Sequence, residues 1–140
     1  MKIPDANYLK EVRDVCTKYN VLMICDEIQT GCGRTGELLC VDHYKVRPDI
    51  VLLGKSLSGG FYPISAVLCD AFIMDWIKPN EHGSTYGGNP LAAAIVRTAL
   101  QLLYQENMII NSKNMGFYLL SNLNTISSSA VKQIRGKGLL

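Results

Sequence analysis

Apolar side chains at Tyr8, Leu9, Val12, Val15, Cys16 and Tyr19 recur three and four residues apart, which predicts an amphipathic helix over residues 5–19 with Asp5 available as its cap. A continuous apolar run follows, Val21-Leu22-Met23-Ile24-Cys25, and stops at Asp26-Glu27. Such a run suits a strand buried on both faces, as in a parallel sheet under covering helices. A polar, glycine-containing loop at 29–36 and a short mixed segment lead to a second run of the same kind, Asp49-Ile50-Val51-Leu52-Leu53, closed by Gly54-Lys55. Gly59-Gly60-Phe61-Tyr62-Pro63 reads as a turn, 64–69 as a third strand of weak alternation, and 70–78 as a short helix. After a loop at 79–89, Asn89 as cap and Pro90 in the first turn open a helix that runs to residue 105. A last helix, 108–124, is expected to turn Met108, Ile109, Met115, Leu119 and Leu123 inward before an extended basic tail that ends Arg135-Gly136-Lys137-Gly138-Leu139-Leu140.

This order of elements is α/β, most simply part of a layered fold. The helix that starts at Pro90 is apolar on most sides and needs covering on several of them. Little else in the chain remains to cover it, so the expectation is a piece of a larger structure. Repeats and low-complexity linkers are absent from the sequence.

The 140 residues are enough for one globular unit, and 48% hydrophobic content with a net charge of +2 excludes a disordered chain. Fourteen Lys and Arg stand against twelve Asp and Glu, with no block of like charge. Nucleic acid and an anionic membrane surface are therefore not expected as main partners. Runs such as 21–25 and 91–96 fall far short of the roughly 20 apolar residues that span a membrane. The first residues, Met-Lys-Ile-Pro-Asp-Ala-Asn, resemble neither a secretory signal nor a transit peptide. Five cysteines, Cys16, Cys25, Cys32, Cys40 and Cys69, show no C-x-x-C spacing, which points to reduced, mostly buried thiols in an intracellular protein and not to a disulfide framework or a zinc site.

Two glycine motifs match nucleotide-binding patterns by letter only. Gly31-Cys32-Gly33-Arg34-Thr35-Gly36 satisfies G-x-G-x-x-G, yet five residues separate it from the strand and no sustained helix follows to face a pyrophosphate. Gly54-Lys55-Ser56 resembles the end of a phosphate-cradling loop, but its first glycine would have to stand where Asp49 is, with strand interior in between.

What remains is an acid at the end of one apolar run, Asp26, and a lysine just past the end of another, Lys55. In a parallel sheet both would emerge at the carboxyl edge, where open α/β sheets place ligands. A lysine amine that attacks a carbonyl, with an acid to complement a ring-nitrogen cation, is the protein's part in pyridoxal phosphate chemistry. The same two residues also suit a solvated strand end and a surface lysine, and spacing alone leaves both readings open.

The sequence carries three further stretches in order. Met23-Ile24-Cys25-Asp26-Glu27-Ile28-Gln29-Thr30-Gly31-Cys32-Gly33-Arg34-Thr35-Gly36, then Arg47-Pro48-Asp49-Ile50-Val51-Leu52-Leu53-Gly54-Lys55-Ser56-Leu57-Ser58-Gly59-Gly60, then Glu81-His82-Gly83-Ser84-Thr85-Tyr86-Gly87-Gly88-Asn89-Pro90 together resemble the signature of class III pyridoxal-phosphate aminotransferases. The resemblance runs through almost the whole chain. It implies the later part of the large cofactor-binding domain of a fold-type I, aspartate aminotransferase-like transferase, with a mostly parallel sheet under covering helices, running toward the start of a smaller C-terminal domain.

The resemblance also implies residue roles. Lys55 would link covalently to pyridoxal 5'-phosphate and carry the proton between substrate Cα and the cofactor's C4′. Asp26 would keep the pyridine nitrogen protonated, and Gln29 would bond near the phenolic oxygen. Thr85, helped by Ser84, would bind the phosphate of the neighbouring subunit's cofactor, which makes a homodimer necessary. Read as residues and apart from the resemblance, His82 is expected to order the loop before Thr85, Arg34 to order a loop or stand at an interface, and Trp76 and the tyrosines to pack. The substrates implied are an amino acid and a 2-oxo acid. The stretch at 59–67 is most similar to members that take the δ-amino group of L-ornithine and give glutamate 5-semialdehyde. Transaminases of other ω-amino acids or acetylornithine are the alternative, as is a non-catalytic piece that keeps only subunit contacts. The family's glycine-rich phosphate loop, its ring-stacking aromatic residue and its small domain are not found here, so the 140 residues alone are expected to be inactive. An animal source would imply the mitochondrial matrix, any other the cytoplasm.

Overall fold

A computed structural model describes residues 3–140. The first helix, α1, spans Tyr8–Lys18, and its inward positions Leu9, Val12 and Cys16 pack on Met23, Val41 and Val46. Asp5 does not cap it through its side chain. Asn7 is the N-cap, also without a side-chain bond, and Asp5 contributes only its carbonyl to the Tyr8 N–H, at 3.0 Å.

Strand β1 is Ile24–Asp26, shorter and later than the apolar run suggested. β2, Ile50–Leu53, pairs with it in parallel, with Ile24 opposite Ile50, Cys25 opposite Val51 and Asp26 opposite Leu52. β3, Ala66–Cys69, completes a sheet of order β1-β2-β3 but runs antiparallel to β2. The expected mostly parallel sheet is thus mixed among the described residues. The link from β2 to β3 contains a single 3-10 turn, Lys55–Ser58, and no helix to cross the sheet, so the chain returns beside the strand it left.

The pairing register sorts the strands' side chains into two faces. Val51 and Leu53 are buried with Cys32 and Leu57, covered by Val96 and Leu100 of α3. The opposite face holds Ile24, Asp26, Ile50, Leu52, Val67 and Cys69. Ile24 is 57% exposed and Val67 56%, so this face is largely open. The strands were expected to be buried on both faces because both are apolar in sequence. Among the described residues only one face has a covering layer.

The short helix α2 is Ala71–Met74, and the long helices α3, Pro90–Gln105, and α4, Met108–Leu123, follow the loop at 79–89. On α4 the buried positions are Ser112 and Gly116, flanked by half-buried Ile109, Leu120 and Leu123. Met108, Met115 and Leu119, expected inside, are 46%, 44% and 50% exposed. The apolar pattern missed this face because its centre is a serine and a glycine. The Ser112 hydroxyl donates to the Arg34 carbonyl at 3.0 Å, and Gly116 lets the backbone of Gly138 approach so closely that a Cβ would lie 2.1 Å from the Gly138 oxygen. The basic tail is therefore folded back: the Leu139 N–H donates to Arg34 O at 2.9 Å.

At the amino edge of the sheet, one carboxylate joins three segments. Asp49 accepts from the Arg13 guanidinium of α1 at 2.5 Å and from the Met23 N–H at 2.7 Å, while the Asp49 N–H donates to Met23 O. The Arg13 hydrogen bond, then the Met23 N–H, holds the Asp49 carboxyl below the usual aspartate range. A depressed folded-state value means that this stabilisation is present above the unfolded-state pKa and lost as pH falls through the depressed one. Arg13→Ala is expected to lower the unfolding free energy by about 1–3 kcal/mol at neutral pH. Melts of both proteins across the acid range will show the difference shrinking as Asp49 protonates.

Candidate active site

Parallel pairing of β1 and β2 carries two chain ends to one edge. The Glu27 N–H continues the ladder to Leu52 O at 2.9 Å, so Asp26 lies at the end of β1 beside the residue three positions before Lys55. Asp26 is exposed on the open face, and its Oδ1 accepts the Ile28 N–H at 3.0 Å. No hydrogen bond reaches its Oδ2 among the described residues. Lys55 follows Gly54 in the left-handed region, at φ +45°. That conformation costs a non-glycine residue about 1–2 kcal/mol, and here it starts the 3-10 turn with the lysine exposed and free of any ion pair.

Gln29 sits in the turn that leaves β1. A cavity of about 1090 Å³ brings it together with Lys55, but most of the remaining wall is apolar, with Ile95, Leu102 and Leu103 of α3 and Leu139 of the tail. Asp26, Ser84 and Thr85 do not line this cavity. The carboxyl edge of the β1–β2 pair, where Asp26 ends one strand and Lys55 follows the other, is the better candidate site.

Ser84 and Thr85 lie in the exposed loop before α3. The Gly87 N–H donates to Ser84 Oγ at 3.0 Å, and the Thr85 hydroxyl has no partner among the described residues. Asn89 fixes the loop to the helix: its Oδ1 accepts the Ala92 N–H and its Nδ2 donates to Tyr86 O, each at 2.8 Å. The expected cap is therefore present. His82, expected to order this loop, makes no hydrogen bond among the described residues, and Trp76 is 79% exposed instead of packed.

Sequence reasoning missed the group that shapes the edge. Glu27, 3% exposed, accepts the Val41 N–H at Oε1, 2.8 Å away, and the Thr30 hydroxyl at Oε2. Burial, and after it the negative charge of Glu27, pushes up the thiols of Cys25, Cys32 and Cys40, which leaves none of them activated as a nucleophile. Only Cys32 is fully buried; the other four cysteines are half-buried, and none is bridged.

The donor set at the edge suits the ring of pyridoxal 5'-phosphate. It offers an exposed amine for an aldehyde, a carboxylate with a free oxygen for a pyridinium nitrogen and a side-chain amide for a phenolic oxygen, while the two hydroxyls that suit a phosphate stand apart on the loop before α3.

Comparison with known proteins agrees with this class. The family model for class-III aminotransferases matches residues 1–140, and the chain belongs to that pyridoxal-phosphate-dependent family. Among curated relatives, a probable mitochondrial ornithine aminotransferase from Caenorhabditis elegans is 58% identical over 137 residues, 98% of this chain and 32% of the relative. The mitochondrial ornithine aminotransferase of Rattus norvegicus is 58% identical over 138 residues, 99% of this chain and 31% of its own length. A solved ornithine aminotransferase from Plasmodium yoelii superposes with a TM-score of 0.93 at 57% identity, covering 98% of this chain and 38% of that one. The chain spans about a third of the length of the curated relatives it matches. No helix among the described residues is long and apolar enough to cross a membrane.

Removing the Asn89 side chain tests how the loop is held. Asn89→Ala is expected to cost about 1 kcal/mol, read as a lower melting temperature, with faster hydrogen exchange at the Ala92 amide.

Proposed function

We propose that this chain forms the cofactor-anchoring part of an ornithine aminotransferase, which moves the δ-amino group of L-ornithine to a 2-oxo acid and gives glutamate 5-semialdehyde. The observation that carries the reading is the emergence of Asp26 and Lys55 at one edge of adjacent parallel strands. The choice of ornithine rests on the names of the relatives.

Bound pyridoxal phosphate supplies an electron sink for the substrate carbon that loses a proton. Lys55 anchors the cofactor through its amine, and its freed amine then moves the proton from the amine-bearing carbon of the substrate. Asp26 holds a proton on the pyridine nitrogen through the oxygen that the protein leaves unbonded. Gln29 donates to the phenolic oxygen. Ser84 and Thr85 would offer hydroxyls to a phosphate; on the family resemblance that phosphate belongs to a second copy's cofactor, and the working unit is a homodimer. The location we propose is intracellular: the mitochondrial matrix for an animal source, the cytoplasm otherwise.

The enzyme that contains this sequence is expected to form glutamate 5-semialdehyde from L-ornithine and 2-oxoglutarate. Lys55→Ala should cost about 10²–10⁴-fold in kcat or more. Full turnover by the alanine variant, or a preference for acetylornithine over ornithine, would refute the assignment.

A further inference from the structure

Among the described residues, Glu27 is the one at the carboxyl edge whose side chain is both charged and buried. Every polar atom it has is engaged. Its N–H donates to Leu52 of β2, its carbonyl accepts the Gly31 N–H at 2.8 Å, Oε1 accepts from Val41 in the 3-10 helix Cys40–Tyr44, and Oε2 accepts from Thr30. None of these partners is a cation, and no ion pair among the described residues includes Glu27. Burying a carboxylate against neutral donors alone carries a large desolvation cost, which a purely structural corner could avoid with an apolar or amide side chain.

The four bonds meet between the candidate site's parts. Asp26 is the preceding residue, Gln29 lies inside the turn that the Thr30 and Gly31 bonds close, and Leu52 is three residues before Lys55. The turn has no slack. A Cβ on Gly31 would lie 2.8 Å from Glu27 O and 3.1 Å from a Leu53 methyl. The field of Glu27 is felt at Cys25, Cys32 and Cys40, which surround it on three segments.

We propose that Glu27 is a positioning residue for cofactor binding: by clamping the turn after β1 to Val41 and Thr30, it sets where Asp26 and Gln29 meet the cofactor held at Lys55. This rests on the reading that the edge binds pyridoxal phosphate. At metal sites a partner that orients a ligating group, without touching the metal, contributes about 10–100-fold in affinity, and an effect of the same order is expected for a group that orients cofactor contacts. Glutamine in place of Glu27 keeps both contacts, one of them reversed, since its carbonyl oxygen accepts the Val41 N–H and its amide donates to the Thr30 oxygen, which now accepts. Alanine leaves the Val41 N–H buried without a partner.

The test titrates the apo form of the enzyme that contains this sequence with pyridoxal phosphate, following the visible band of the lysine-bound cofactor, and records a melting curve for each variant. Glu27→Ala is expected to weaken binding about tenfold or more, and Glu27→Gln to stay within about twofold of the unsubstituted enzyme because its contacts survive. Thr30→Val, which removes one contact, should weaken binding a few-fold and decides the matter if the alanine variant does not fold. Arg13→Ala, which destabilises the opposite edge, should lower the melting temperature and leave binding unchanged. Undiminished binding in Glu27→Ala overturns the proposal; so does unchanged binding in Thr30→Val, loss in Glu27→Gln equal to that in Glu27→Ala, or equal loss in Arg13→Ala. No saturable band in the unsubstituted enzyme would instead overturn the cofactor reading itself, and this proposal with it.

Discussion

The candidate site depends on the parallel pairing of β1 with β2 in a single register. Cys25 opposite Val51 puts Asp26 opposite Leu52, so the acid ends one strand where the neighbouring strand is about to deliver Lys55. A slip of one residue would turn the β1 side chains to the other face, because their period is two. Asp26 would then point under α3 against Val51 and Leu53, and a charge there would be buried without a partner.

Two carboxylates hold that register from opposite ends. Asp49 ties α1 and the start of β1 to the start of β2, using a guanidinium and a main-chain N–H. Glu27 does the corresponding work at the carboxyl edge with neutral donors only. Between them the strands are short, three and four residues, and only one face is covered among the described residues. Apolar burial on that face supplies the non-directional part of the stability, while the polar clamps decide which residues face which way. The open face then leaves the acid accessible to a ligand, and the lysine is exposed past the end of β2.

Much of this was legible in the sequence because it rests on local chemistry. Asn89-Pro90 marked the start of α3, and the abrupt ends at Asp26 and Gly54-Lys55 marked the edge, since apolar runs and caps act within a few residues. The direction of β3 was not legible; it follows from the lack of a crossover helix after Lys55, which apolar pattern does not encode. The inward face of α4 was misread because Ser112 and Gly116 earn burial through a hydroxyl bond and a close backbone approach, and neither scores as hydrophobic. Glu27 was passed over beside Asp26 because its partners, Val41 and Thr30, are recognised only once the chain has folded. Roles for Ser84 and Thr85 came from family resemblance alone; the fold puts them on an exposed loop, away from the cavity of Lys55.

The central claim is that β2 singles out Lys55 among the nine lysines of the chain. Borohydride reduction of the enzyme that contains this sequence, in the presence of substoichiometric pyridoxal phosphate and followed by peptide mapping, tests it most directly. The account predicts a single modified peptide carrying Lys55. Label spread over several lysines, or concentrated on one away from the carboxyl edge, would contradict it.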